Sequence, residues 1–125
     1  FLFMKYVILV TSAKQGNQSA ALFVRAALEA SHQVHRVFFY GEGALNAKDA
    51  ASNSQPSTLK LWQQLQSEYE LDLVVCVSAA KNRQMFTQPM NTATLDNQIA
   101  EGFTVSGLGQ LADAAAYCDR IITFR

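Results

Sequence analysis

Five short apolar runs punctuate this chain, and their order limits the fold more than any other feature. They are Tyr6–Val10, Val34–Tyr40, Leu71–Val77, Phe103–Val105 and Arg120–Phe124. β-branched and aromatic residues dominate them, and each is short for a helix, so they read as strands. The first, "YVILV", does not alternate with polar residues, which fits a strand covered on both faces. Helical signals fill the gaps. Ala20–Ala30 is rich in helix formers, with Asn17 or Ser19 placed to cap it. Ser57 precedes Leu59, Trp62, Leu65 and Tyr69, whose spacings of three and four make one apolar helix face. Ala79–Phe86 reads as a short helix and Gly107–Tyr117 as a longer one. Thr87–Glu101 is broken by Pro89, with a helix expected over Thr94–Ala100. Strands alternating with helices imply a mostly parallel sheet. Right-handed crossovers then give a single doubly wound five-stranded α/β sheet with helices on both faces.

The length of 125 residues suits one domain spanning 1–125. Ten basic and ten acidic side chains cancel, which leaves no electrostatic footprint for direct nucleic-acid binding. Two cysteines make no disulfide framework, so free thiols in a reducing cytoplasm are expected. The opening "FLFMKYVILV" is interrupted by Lys5 and falls short of the about 20 apolar residues of a membrane span. It reads as the first strand. Met4 is the expected natural start, with Phe1 to Phe3 an upstream remnant.

In such sheets, reactive groups collect at the carboxyl ends of the strands. Three candidates fall there: Thr11 to Gln18, the "YGEG" turn from Tyr40, and Cys76. Cys76 closes the third strand where a helix should begin. Unpaired N–H groups at a helix start favour negative charge, and Lys81 and Arg83 add cations. Surroundings of this kind raise the thiolate fraction. The plainer reading is packing, since cysteine is among the most buried residue types. Cys118 shares a helical face with Leu108, Leu111 and Ala115 and reads as core. "GNQSA" from Gly16 lacks the Lys-Ser/Thr of a phosphate loop and reads as a capped turn, while "SGLG" from Ser106 is an incomplete dinucleotide fingerprint and reads as a tight turn with close packing. His32 and His35 straddle a change of element, so a metal site there is not expected. Trp62 reads as core. The scattered carboxylates form no acid/base pair. The segment Ala44–Pro56 has the least pattern, and a loop of that length is often functional.

Three blocks resemble a known family: "VFFYGEGALNA" from Val37, "VCVSAA" from Val75 and "GFTVSGLGQLADAAAYCDRIITF" from Gly102. Together with their spacing they resemble the DsrE-like sulfurtransferases, in particular the TusD-like subunits, along essentially the whole chain from Met4. The resemblance implies a DsrE-like fold and a sulfurtransferase that carries persulfide sulfur on one cysteine, which falls on Cys76. It implies a TusA-like donor, a TusE-like acceptor, and TusB-like and TusC-like partners in a heterohexamer. The relay ends in 2-thiolation of the tRNA wobble uridine, and no cofactor or metal is implied. Arg83 matches a basic position of the pattern, and Lys81 is its neighbour. The pattern often has glycine after that arginine; Gln84 stands here, and Thr87–Asn97 diverges.

Other functions fit parts of this pattern. A related DsrE-type subunit works in sulfur oxidation. A flavodoxin-like module would bind a small phosphorylated ligand at the turns after strands one and two. A non-catalytic assembly subunit would leave Cys76 as packing. The carrier function needs the Cys76 sulfur held, ionised and reachable at the sheet rim.

Overall fold

The computed structural model describes residues 3–85 and 99–125. Its strands are β1 (Lys5–Val10), β2 (Gln33–Phe39), β3 (Leu73–Cys76), β4 (Phe103–Ser106) and β5 (Arg120–Phe124). Its α-helices are α1 (Gln15–Glu29), α2 (Pro56–Tyr69), α3 (Val77–Asn82) and α4 (Gly109–Ala115), with a 3-10 segment over Gly41–Ala47. The sheet is parallel throughout in the order β4-β3-β2-β1-β5. The chain therefore steps outward from β1 to β4, then returns to place β5 beyond β1. This is the expected doubly wound α/β class.

Reversing the direction of travel moves the crossover to the other face. Ring contacts mark the first face. Tyr6 of β1 and Phe124 of β5 both pack on Phe23 of α1. Phe39 of β2 meets Trp62 of α2 edge-on, at a centroid distance of 5.2 Å. Register marks the second face. Arg36 and Phe38 pair with Val7 and Leu9, and Val74 pairs with Phe38. Arg36 on that face donates from Nη1 to the Gln110 carbonyl of α4 at 2.8 Å. Its Nε is 2.6 Å from Asp72 Oδ2. Trp62 is fully buried, as expected.

Several element bounds differ from expectation. Helix α1 starts at Gln15 rather than Ala20. Asn17 lies inside its first turn and turns its amide to a tertiary partner instead of capping. Helix α2 starts at Pro56, so Ser57 is within it and caps nothing. Proline suits that first turn because its missing N–H has no intrahelical partner there. Tyr69 is 40% exposed, off the apolar face assigned to it. Glu70 takes left-handed φ and ψ of 54° and 41° and ends α2, which delays β3 to Leu73.

The "SGLG" glycines have no atom within 4 Å of an added Cβ, so close packing is not their reason. In α4 the fully buried residue is Ala114; of the Leu108/Leu111/Ala115/Cys118 row, Leu111 packs against the core while only partly buried. Leu108 is 52% exposed, and Cys118 lies beyond the helix, half-buried. The short helix ends before its side chains complete a core-facing stripe. The helix expected over Thr94–Ala100 lies mostly outside the described residues. At its end, Ile99 bridges Lys48 antiparallel, and the Ala100 N–H donates to the Ala47 carbonyl at 2.7 Å.

Candidate functional site

Cys76 is the last residue of β3 and the N-cap of α3, with φ and ψ of −64° and 123°. The extended backbone still obeys strand parity there. Cys76 pairs with Ser106 of β4, one step along from Val74 with Thr104. Its side chain therefore shares the sheet face of Val74 and Phe38, the α4 face. The sulfur is held at the carboxyl rim, as expected, but it is not open. Cys76 is 1% exposed and belongs to the hydrophobic core cluster. The expectation of a reachable thiol is thus corrected for the isolated chain.

The two expected cations are placed differently from one another. Lys81 is exposed on α3. Arg83 is half-buried, and its Nη1 donates back to the Ala79 carbonyl at 3.3 Å. That guanidinium satisfies one carbonyl of the last turn of α3, a common use of a cation near a helix C-terminus. Gln84 follows at φ 56°, a left-handed conformation that favours glycine. Glycine, the residue expected there from the resemblance, would take that conformation without strain.

The segment after β2, the least patterned in the sequence, is fastened by side-chain amides that sequence reasoning missed. Gly43 lies so close to β1 that a Cβ there would collide with the Val10 carbonyl oxygen. Asn46 is buried and donates to the carbonyls of Ser12 and Gly43, each at 2.9 Å. Asn53 donates to the carbonyls of Asn46 and Lys48. The Gln55 N–H donates to Asn53 Oδ1, and Gln55 Oε1 accepts from Asn17 Nδ2. Asn17 Oδ1 in turn accepts the buried Trp62 Nε1–H at 2.7 Å. A lone asparagine among alanines just after a Gly-x-Gly turn was the available signal for Asn46.

Cys118 occupies the opposite pole. It lines an open cleft of about 550 Å³ with Lys5, Gln33, Tyr117 and Asp119, at the amino ends of the strands. His32 Nδ1 accepts the Met4 N–H at 3.0 Å, while His35 on β2 packs against Tyr117. Among the described residues, no group of three His, Cys, Asp or Glu could hold a metal ion. No helix among them is long and apolar enough to cross a membrane.

The sequence profile of the DsrE/DsrF-like family matches residues 4–124. The chain belongs to the DsrE/DsrF-like family. Two relatives show where in that family it stands. The sulfurtransferase TusD of Erwinia tasmaniensis is 39% identical over 97% of this chain and all of its own length. That of Yersinia pestis (strain Pestoides F) is 40% identical over 97% of this chain and 98% of its own. The crystal structure of the ychN protein from E. coli superposes with a TM-score of 0.69, covering 98% of this chain and all of that one. Its sequence identity is 14%, so it supports the DsrE-like fold alone.

Proposed function

We propose that Cys76 is the persulfide carrier of a sulfur relay. The chain is a sulfurtransferase, and one observation favours Cys76 over its other cysteine. Cys76 ends a strand at the carboxyl rim, where parallel sheets assemble their chemistry, whereas Cys118 lies at the opposite pole. The Cys76 thiolate attacks the outer sulfur of a donor persulfide, R–S–SH. A bond forms between the two sulfurs, the R–S bond to the outer sulfur breaks, and R–S⁻ departs with the electron pair. The proton stays on the outer sulfur, giving Cys76–S–SH. An acceptor thiolate repeats the displacement and regenerates the Cys76 thiolate. The exchange follows thiol–disulfide rules, with no net oxidation.

Burial sets a condition on this reading. At 1% exposure, the sulfur must be uncovered when a donor docks. Lys81 and Arg83 act as supporting cations, Arg83 by fixing α3. The donor is TusA-like and the acceptor TusE-like, in a cytoplasmic relay that ends in 2-thiolation of the tRNA wobble uridine. TusB-like and TusC-like subunits complete a heterohexamer. Leu108, Tyr117 and Ile121 (52, 61 and 48% exposed) are apolar side chains that subunits of the same fold would cover.

The test is sulfur loading. Incubation with a persulfidated TusA-like donor should add one sulfur atom to the peptide containing Cys76, read by mass spectrometry. Cys118→Ser should load like the parent, and Cys76→Ser should not load. Equal loading of Cys76→Ser would falsify the carrier role. The burial of Cys76 favours one rival, an assembly subunit in which the thiol only packs. Absence of loading in the complete assembly would establish that rival.

A further inference from the structure

We infer that Ser106 is a second residue of the sulfur site, its hydroxyl donating a hydrogen bond to the Cys76 sulfur when that sulfur is charged. The inference rests on the carrier reading of Cys76. Register carries it. Strands β3 and β4 are parallel, and Cys76 lies directly beside Ser106. Paired residues of neighbouring parallel strands leave the sheet on the same face, with the strands about 4.8 Å apart. Thiol and hydroxyl therefore project side by side. Rotation of serine about χ1 between its staggered wells swings Oγ toward or away from that neighbour.

The adjacent pair shows what Ser106 does not do. Thr104 sits beside Val74, and its Oγ1 donates to the Leu73 carbonyl at 3.3 Å. The half-buried Ser106 hydroxyl has no such backbone engagement among the described residues, and with the sulfur uncharged it makes no hydrogen bond to Cys76 either. A donor is needed here. Cys76 is almost fully buried, and a buried anion without hydrogen bonds is costly. Lys81 is exposed, and Arg83 Nη1 is engaged with the Ala79 carbonyl. Among the described residues, Ser106 is the hydroxyl that register sets beside the sulfur. The thiolate, before loading and again after delivery, would use this donor.

The test reads the sulfur without requiring a reagent to reach it. In a Cys118→Ser background, only Cys76 supplies a thiolate, and its ultraviolet absorbance is titrated against pH. The double variant with Cys76→Ser gives the blank. Ser106→Ala should lower the thiolate population at neutral pH roughly 3- to 10-fold, the net worth of one hydrogen bond. Ser106→Thr keeps the hydroxyl and should restore it. Thermal unfolding of each variant confirms the fold. Identical titrations for parent, alanine and threonine proteins overturn the inference, as does a loss that threonine leaves unrepaired. Failure of the carrier reading looks different: Cys76→Ser would take up donor sulfur like the parent, whatever the titrations show.

Discussion

At the scale of single residues, the polar side chains around the rim are held by specific partners, and their loss should be measurable. Asn17 accepts the Trp62 indole N–H in a fully buried setting. Asn17→Ala strands that donor, so unfolding in urea should show a loss of about 1–3 kcal/mol. Replacing Trp62 by Phe as well removes the stranded group, and the second step should cost less than Trp62→Phe does in the parent. Gln84 makes the opposite case. Its φ of 56° strains any side chain with a Cβ, so Gln84→Gly should be neutral or stabilising by up to about 1 kcal/mol. A fall in thermal midpoint for Gln84→Gly would mean that its side chain makes a contact worth more than the strain. The serine beside Cys76 belongs to this scale too. Nothing in "FTVS" marks the last residue as a neighbour of a cysteine thirty positions earlier; only strand pairing does.

At the scale of elements, α4 and the 3-10 segment depend on few attachments. Helix α4 has seven residues, too few for stability on its own. Arg36 ties it to the sheet by the bond to Gln110 and braces itself on Asp72. Arg36→Met keeps much of the apolar stem but removes both polar contacts. Hydrogen exchange in α4 should then quicken, with a loss of about 1–2 kcal/mol in global stability. Unchanged protection of the Leu111 to Ala115 amides would show that apolar packing alone seats the helix. The 3-10 segment depends on the absence of a side chain. Gly43→Ala drives a Cβ into the Val10 carbonyl, so a loss of about 1–3 kcal/mol is expected by chemical denaturation. The segment is clasped by Asn46 and Asn53 rather than loose. Strand and helix identity at this scale were readable from period and composition. The bounds were not: Asn17 turned to Gln55 and Trp62 rather than capping, Pro56 rather than Ser57 opened α2, and Val77 began α3 instead of extending β3.

At the scale of the whole molecule, the two thiols occupy opposite poles of one parallel sheet and differ in access. Iodoacetamide should modify the half-buried Cys118 before Cys76 in the isolated native chain, and the order should vanish in denaturant. Mass spectrometry of the two cysteine peptides over time checks it. If Cys76 reacts first, the rim opens spontaneously, and no donor is needed to uncover the sulfur. If Cys76 is the carrier proposed above, its burial keeps that sulfur from stray thiols until a partner docks.

By itself, the sequence determined five strands, their alternation with helices, and the burial of Trp62. These follow from local periodicity, which the chain carries residue by residue. It also marked Cys76 as the residue to watch, through its place at the end of an apolar run. Tertiary structure decided the rest. It sealed the sulfur, gave Arg83 to the end of α3, brought Asn17 to Trp62 and set Ser106 beside Cys76. Those outcomes depend on which strand pairs with which and on what fills the space between layers. Such contacts join residues tens of positions apart, and no short-range pattern encodes them.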